Sequence, residues 1–286
     1  VAIVLNTGTA HIGLLGSKEA IIQAKCEIFE GLDPNTGIGL YDGSNPALVA
    51  YVQELAQHRQ LQAFSAGDAV KCQVSNGQTM FHFDGVPFVL PVTGAHYVHN
   101  AVALLKTAQV LGIPLTRLKP GLQAFHPAEN RGTVHQVPGR ESVTVVSDCY
   151  NANLESTQAA LTSLFLTAAQ PAVLILGGIK ELGKFEQSVH QALGDWLATK
   201  LTREHWPVPL VIGVGPELVP TLAVLKPVVP VAHFLTTKDL SAVFPAILAD
   251  HGIPLKAITL FIKGSRAYGL EALIPLLDNS TAASSV

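Results

Sequence analysis

The chain has 286 residues, of which 48% are hydrophobic and 14% charged, and its formal net charge is -3. This length is enough for one large domain or two of ordinary size. Eighteen Lys and Arg residues against 21 Asp and Glu leave no basic surface that would bind nucleic acid or anionic lipid. Because aromatic residues make up only 6%, the composition favours α/β layers over a β-sandwich.

Cysteine spacing and hydropathy indicate a soluble protein of a reducing compartment, by default the cytoplasm. The three cysteines, Cys26, Cys72 and Cys149, form no Cys-x-x-Cys pair, which argues against a disulfide scaffold or a zinc site. The most apolar stretch, residues 207–235, contains six prolines and two charged residues. We therefore expect no membrane span in this stretch.

The first part of the chain alternates strands and helices and then changes to hairpins. Apolar runs and helical spacing of apolar residues define these elements, and the turn signal Asp84-Gly85 indicates a hairpin. The predicted elements are a strand at residues 1–5, a helix at 17–31, a strand at 38–41, a helix at 46–59, hairpins within 70–91 and a helix at 97–111.

The second part of the chain has a different pattern, in which short Val/Ile/Leu-rich strands alternate with helices. Such continuous apolar strands are typical of a mainly parallel sheet that is covered on both faces. The predicted strands are residues 143–146, 173–176, 210–214 and 258–262. We place the domain boundary near residues 128–131, which gives domains 1–129 and 130–277. The small, polar residues 278–286 are a predicted disordered tail.

The chain begins directly in its first apolar run, Val-Ala-Ile-Val-Leu, without an initiator Met. Proteins seldom begin inside a core strand, so we expect this chain to be a fragment.

Two polar clusters lie in the first predicted domain. The loop after the first strand, Asn-Thr-Gly-Thr-Ala-His, ends at His11, and the carboxyl edge of an open α/β sheet is where ligands bind. Lys25 lies among apolar positions of the next helix, where a lysine can equally extend its ammonium to solvent. Asn100 follows Gly-Ala-His-Tyr-Val-His at the start of a later helix, where Asn is commonly a cap.

Polar residues also follow the strands of the second predicted domain. Arg131-Gly precedes one strand, and Ser-Asp-Cys-Tyr-Asn-Ala-Asn follows it. That string contains Asp148, Tyr150, Asn151 and Asn153, which would form an ordinary capped strand–turn–helix if they had no other role. Two glycines, Gly177-Gly178, follow the next strand.

After the last strand, Lys-Gly-Ser-Arg places Lys263, Ser265 and Arg266 in one turn. Two cations and a hydroxyl on a strand-to-helix turn are typical of an anion-binding corner, although a solvated basic turn has the same residues.

Together these strings resemble the Mur ligase family, in particular its branch that joins D-alanyl-D-alanine to UDP-N-acetylmuramoyl-tripeptide. The similarity runs from residue 1 to residue 271 and is most specific in Tyr-Asn-Ala-Asn and Lys-Gly-Ser-Arg. It implies an α/β protein in which the C-terminal part of the central ATP-binding domain, residues 1–129, is followed by a Rossmann-like C-terminal domain, residues 130–277.

The resemblance also implies roles for individual residues. Lys25 would be N6-carboxylated (carbamylated) and would hold Mg²⁺ together with His11; a carbamate offers the oxygen ligands that this ion prefers. Asn100 would contact the adenine of ATP, while Arg131 and Asp148 would hold its ribose and phosphates. The remaining residues would serve the reaction zone and the acceptor: Tyr150, Asn151, Asn153, Lys263, Ser265 and Arg266.

Several positions depart from the family pattern. Thr7 and Thr9 replace the usual Ile and Pro, and Gly178 replaces the Asp of Leu-Gly-Asp-Met-x-Glu-Leu-Gly. The segment from Arg131 to the residue after Tyr-Asn-Ala-Asn has further departures, at Thr133, Ser147, Cys149 and Leu154. Cys149 is expected to be a packed residue and not a nucleophile, because no acylating constellation surrounds it.

The implied reaction is amide formation through an acyl phosphate, with ATP and Mg²⁺, in a cytoplasmic monomer. No Gly-x-x-Gly-Lys-Ser/Thr phosphate loop occurs in the 286 residues, so this chain alone is expected not to turn over ATP. Two alternatives stay open. One is a related ligase such as a folylpolyglutamate synthetase, and the other is a non-catalytic homologue that binds nucleotide or a partner protein.

Overall fold

Strands and helices alternate along the chain, as the computed structural model shows for residues 1–56, 59–75, 77–167, 170–254 and 256–278. The fold is α/β, as predicted, and the chain divides into two units, Val1–His126 and Pro127–Val286. The disorder expected for residues 278–286 falls, from residue 279 onward, outside the described residues. None of the described helices is long and apolar enough to cross a membrane.

The first unit contains two three-stranded sheets, one parallel and one antiparallel. Strands β1 (Ala2–Val4), β2 (Ile38–Asp42) and β3 (Gln60–Phe64) form the parallel sheet, and β4 (Ala69–Ser75), β5 (Gln78–Phe83) and β6 (Val86–Leu90) form the antiparallel one. The helices are α1 (Ile12–Leu15), α2 (Lys18–Cys26), α3 (Pro46–Leu55), α4 (Ala95–Val110) and α5 (Lys119–Gln123), with short 3-10 turns at Glu27–Phe29, Ala66–Asp68 and Leu115–Leu118.

Local chemistry accounts for where these elements begin and turn. Ser17 caps α2 by accepting a hydrogen bond from the Ala20 N–H at 3.1 Å. Asn45 caps α3, whose first residue is Pro46. The predicted hairpin between β5 and β6 is confirmed, because Asp84 and Gly85 both have positive φ angles, of 49° and 75°. Such angles are those of the tight turns that match strand twist.

The second unit is a six-stranded sheet in the order β11-β10-β9-β12-β8-β7, in which only the β7–β8 pair is antiparallel. Its strands are β7 (Thr133–Val137), β8 (Arg140–Asp148), β9 (Ala172–Gly177), β10 (Val211–Val214), β11 (Val231–Phe234) and β12 (Ile258–Lys263). Its helices are α6 (Leu154–Thr167), α7 (Glu186–Arg203), α8 (Val219–Leu225), α9 (Thr237–Asp250) and α10 (Pro275–Asp278), with 3-10 turns at Gly183–Phe185, Pro216–Leu218, Arg266–Tyr268 and Leu270–Leu273.

Helices cover this sheet on both faces, as the apolar strands predicted. One core joins the sheet to α9 through Leu240, Phe244 and Leu248. The other joins it to α6, α7 and α8, and contains Leu161, Leu197 and Leu222 among its buried residues. All six residues of β9 and of β12 are buried, as expected of central strands in a parallel sheet.

Three strands, β3, β7 and β11, were not predicted from the sequence. In β3 most side chains are exposed and the sequence Gln-Leu-Gln-Ala-Phe has little apolar character. Strand β11 lies at the edge of its sheet and has no fully buried side chain. Sequence patterns detect strands by their burial, so strands at the margin of a sheet give a weak signal.

His190 connects the loop after β9 to α7 and α8. The imidazole is fully buried, and its Nε2 accepts a hydrogen bond from the Ile179 N–H at 3.0 Å. Its Nδ1 therefore carries the proton and donates to the Glu186 carbonyl at 2.8 Å. The Thr221 hydroxyl donates to the His190 carbonyl at 2.7 Å. This network requires a neutral ring, and burial lowers the pKa of His190 from its usual range.

Acidification should therefore destabilise the second unit through His190. The unfolded-state imidazole takes up a proton below a pKa of about 6.5, while the folded one stays neutral to a lower pH. The stabilisation is complete above that pH and is lost as the pH falls, by up to about 1.4 kcal/mol per pH unit. Urea unfolding followed by Trp196 and Trp206 fluorescence, both in this unit, measures the effect. His190→Gln should show a shallower dependence between pH 7 and pH 5, and equal slopes would contradict the assignment.

Candidate functional site

In the first unit, the predicted site residues gather at the carboxyl end of β1. Lys25 lies in the last turn of α2, half-buried, and its ammonium donates a hydrogen bond to the Asn6 carbonyl at 3.0 Å. The side chain therefore extends toward the loop that follows the strand, whereas Ile28, on the same face by sequence spacing, is 52% exposed. His11 lies in this loop and has a left-handed conformation, with φ 64°, before α1.

Other side chains hold the same loop in place. Thr7 is buried, and its hydroxyl oxygen accepts a hydrogen bond from the Asn45 side chain at 2.7 Å. His99 in α4 donates from Nε2 to the Leu5 carbonyl at 2.9 Å, which is a structural role. Asn100 is the next residue of α4 and is exposed. The end of β1 is thus adjacent to the helix segment that carries the predicted adenine contact.

The two residues that the resemblance implies for Mg²⁺ both lie at this end of β1, since Lys25 contacts the loop that carries His11. A carboxyl group added to the Lys25 amine would place two oxygens that share one negative charge beside the Asn6 loop, which also carries His11. In the described part of the chain, no group of three His, Cys, Asp or Glu side chains could hold a metal ion. Lysine binds a metal ion only after carboxylation, so the Lys25 site stays a prediction.

In the second unit, a buried ion pair joins the ends of β8 and β12. Lys263 is 3% exposed, and its ammonium contacts the Asp148 carboxylate at 2.6 Å. It also donates to the backbone carbonyls of Asp148 at 3.4 Å and of Asn151 at 3.3 Å. Lys263 and Asp148 are directly opposite each other in the parallel register of β12 and β8. The structure therefore brings together a residue predicted for the nucleotide and one predicted for the acceptor.

Tyr150 lies between charged side chains of the same edge. The Arg131 guanidinium is 4.0 Å from the centre of the Tyr150 ring, and that of Arg266 is 6.0 Å from it. Arg266 is 59% exposed and forms an ion pair with Glu271 at 2.8 Å. A half-exposed aromatic ring with two guanidinium groups makes a positively charged surface suited to anions.

The neighbouring Cys149 has the packed role that was expected for it. Its side chain is fully buried, and burial raises the pKa of the thiol above its usual range. A protonated, enclosed thiol is a poor nucleophile.

The other predicted residues are mainly engaged in local structure. Asn153 accepts a hydrogen bond from the Ser156 N–H at 2.7 Å, and its own N–H donates to the Ser156 hydroxyl at 3.1 Å, so the pair caps α6. Asn151 accepts from the Ala152 N–H at 2.8 Å. Ser265 is buried, and its N–H donates to the Gly178 carbonyl at 3.2 Å, which links the turn after β12 to the end of β9.

Three polar residues near the ends of strands were not predicted as site residues from the sequence. Asp42 ends β2, is buried, and accepts hydrogen bonds from the N–H and hydroxyl of Ser44 at 2.9 and 2.6 Å. Glu217 and Tyr268 follow β10 and β12 and are hydrogen-bonded to each other. The position of Asp42 directly after an apolar run could have identified it, whereas Glu217 and Tyr268 lie 51 residues apart.

Comparisons with known proteins agree with this architecture. Residues 1–108 match the Mur ligase middle domain. The UDP-N-acetylmuramoyl-tripeptide--D-alanyl-D-alanine ligase of Synechocystis sp. is 32% identical over 194 residues, 68% of this chain and 41% of that protein. Its namesake from Escherichia coli K12 is 27% identical over 298 residues, 98% of this chain and 60% of that protein.

A crystal structure of MurF from Acinetobacter baumannii superposes with a TM-score of 0.83 at 27% identity, and the match covers 97% of this chain and 59% of that one. The chain thus spans about half the length of the relatives that it matches. It belongs to the Mur ligase family and is similar to its MurF members.

Proposed function

We propose that the chain is the nucleotide- and acceptor-binding part of an ATP-dependent amide ligase that joins D-alanyl-D-alanine to UDP-N-acetylmuramoyl-tripeptide. This is the reaction for which the relatives are named. The proposal includes ATP and Mg²⁺ as cofactors and a monomeric protein of the cytoplasm. The geometric observation that supports it most is the buried Lys263–Asp148 pair with Arg131, Tyr150 and Arg266 at the same sheet edge.

The reaction proceeds in two steps. The terminal carboxylate of the tripeptide attacks the γ-phosphorus of ATP, which gives an acyl phosphate and ADP. The amine of D-alanyl-D-alanine then attacks the acyl carbon, so that a C–N bond forms and the C–O bond to phosphate breaks, with loss of a proton. Charge neutralisation and in-line placement of the groups provide most of the acceleration in such transfers.

In the first unit, Lys25 and His11 would hold Mg²⁺, which when bound would neutralise phosphoryl charge. The Asn6 carbonyl positions the Lys25 amine at the end of β1. Asn100, exposed near the start of α4, would donate to and accept from the edge of the adenine ring. His99 fixes this helix to Leu5 and so fixes where the adenine contact is placed.

In the second unit, Arg131 and Asp148 would hold the ribose and phosphates, and Lys263, Ser265 and Arg266 the acceptor side. Because Asp148 and Lys263 form one ion pair, a substitution at either position would disturb both functions. Asn153 caps α6, so its part in the reaction zone, with Tyr150 and Asn151, would be combined with a structural one.

Acceptor recognition tests the proposed function most directly. Titration calorimetry should detect binding of D-alanyl-D-alanine by the chain and no comparable binding of glutamate, the acceptor expected for a folylpolyglutamate synthetase. Arg266→Met should weaken dipeptide binding roughly 10- to 100-fold, because a hydrogen bond to a charged group contributes about 1.5–3 kcal/mol.

The matched control is Arg203→Met, which removes an exposed arginine from the last turn of α7 and should leave the affinity unchanged. A preference for glutamate, or an equal effect of both substitutions, would exclude this assignment of the acceptor site.

Carboxylation of Lys25 is open to a test that does not depend on activity. The neutral amine adds to CO₂ to form a carbamate and releases one proton. With ¹³C-labelled bicarbonate, the chain should show a carbamate resonance by NMR that disappears in Lys25→Ala. Lys18→Ala, an exposed lysine at the start of the same helix, should retain it. A resonance that survives Lys25→Ala would assign the carbamate to another amine.

We propose further that this polypeptide by itself does not hydrolyse ATP, because its 286 residues contain no Gly-x-x-Gly-Lys-Ser/Thr phosphate loop. A phosphate-release assay with ATP, Mg²⁺ and both substrates should therefore remain at background. Mg²⁺-dependent phosphate release by the purified chain would contradict this proposal.

A second candidate function is a non-catalytic member of the family that binds nucleotide or a partner protein. One observation favours it, namely the glycine at position 178 where the family pattern has Asp. The binding experiment separates the two functions, since only the ligase requires a dipeptide site.

A further inference from the structure

Three side chains from adjacent strands form a cluster at the carboxyl edge of the second unit's sheet. Lys180 follows β9, Glu217 follows β10 and Tyr268 follows β12. The Glu217 carboxylate accepts hydrogen bonds from the Lys180 ammonium through one oxygen and from the Tyr268 hydroxyl through the other. The Lys180 ammonium also lies 5.0 Å from the centre of the Tyr268 ring. We call these three residues the edge cluster.

Burial is unequal within the edge cluster. The side chain of Glu217 is 6% exposed, whereas that of Lys180 is 39% exposed. Both carboxylate oxygens of Glu217 are already bonded within the cluster. The more exposed charged group of the edge cluster is therefore the Lys180 ammonium. The buried Glu217 carboxylate holds this ammonium through a hydrogen bond.

Two glycines make room for the buried carboxylate. A Cβ atom at Gly178 would lie 2.7 Å from Glu217 Oε2 and 3.0 Å from the Tyr268 hydroxyl. At Gly215, whose φ is 111°, a Cβ atom would again lie 2.7 Å from Glu217 Oε2. A side chain at position 178 and the present placement of Glu217 thus exclude each other.

Position 178 is where the family pattern Leu-Gly-Asp-Met-x-Glu-Leu-Gly has its Asp. Lys180 occupies the variable position of that pattern, and Tyr268 lies two residues after the Lys-Gly-Ser-Arg string. We propose that Glu217 is a positioning residue. It supplies, from the end of β10, the carboxylate that the family pattern has at position 178, and it holds the Lys180 ammonium at the carboxyl edge of the sheet.

The charges of the edge cluster agree with this arrangement. Burial lowers the pKa of Lys180, but the bonds to Glu217 and Tyr268 outweigh it, so the pKa is raised overall. For Glu217, burial raises the pKa and the bonds from Lys180 and Tyr268 more than compensate, so the pKa is lowered. His190, behind the β9 loop, is held neutral by its own hydrogen bonds and adds no charge. Lys180 and Glu217 therefore remain a charged pair.

The reactivity of the Lys180 amine measures how strongly Glu217 stabilises the protonated form of Lys180. A lysine that a carboxylate keeps protonated reacts slowly with acetic anhydride, because only the neutral amine is acylated. Mass spectrometry after brief labelling near pH 9 gives the rate at Lys180 relative to Lys184, which is exposed and four residues away. The readout does not require ligation, so its outcome is independent of whether the chain is an active ligase.

Substitution of Glu217 should increase the relative rate at Lys180. Glu217→Gln keeps the shape of the side chain, and Glu217→Ala opens the space beside Gly178. Each should raise the rate roughly 3- to 10-fold, since one pKa unit changes the neutral fraction about tenfold. If Glu217→Ala lowers the melting temperature too far, Glu217→Gln still measures the loss of the charge.

Relocation of the carboxylate gives the decisive comparison. Gly178→Asp combined with Glu217→Ala should return Lys180 to its slow rate of acetylation. Gly178→Asn combined with Glu217→Ala should not, because asparagine has the size of aspartate but no charge. An unchanged rate in Glu217→Gln would overturn the proposal. Equal rescue by Asn and Asp would also overturn it, as would failure of the Asp variant to fold when the Asn variant folds.

Discussion

The second unit depends on one buried ion pair, between Lys263 of β12 and Asp148 of β8. An ammonium group that is 3% exposed is costly to desolvate, so it must be surrounded by acceptors. Here it has the Asp148 carboxylate and the backbone carbonyls of Asp148 and Asn151. Removal of one partner from such a pair typically costs about 3–5 kcal/mol. The pair therefore fixes the register of two strands and the start of the loop that carries Tyr150.

Glycines extend this constraint across the sheet edge. A Cβ atom at Gly264 would lie 2.7 Å from the Cα of Gly177, so the chain segments after β12 and β9 approach as closely as backbone allows. The Ser265 N–H then reaches the Gly178 carbonyl. The neighbouring strands β9, β12 and β8 consequently end at the same level. The ion pair, the arginines beside Tyr150 and the edge cluster therefore lie along one edge of the sheet in the second unit.

The parts that could be predicted from the sequence are those with a local signal. Central strands such as β9 and β12 are continuous apolar runs, and the turn at Asp84-Gly85 needs residues that tolerate positive φ. Polar residues directly after such strands, such as Asp148 and Lys263, could be predicted as site candidates because parallel strands end at one edge. Their direct pairing could not, because it requires that β12 lies beside β8.

Strand order is also why the edge cluster was not predicted. Lys180, Glu217 and Tyr268 come from three separate loops, and no sequence spacing brings them together. The glycine at position 178 could be interpreted only as the loss of a carboxylate. The sheet order β10-β9-β12 changes that interpretation, because it places the end of β10 beside position 178, which has no side chain. A departure from a family pattern at one residue therefore has to be judged on the neighbouring strands as well, since a side chain from either of them can occupy the same space.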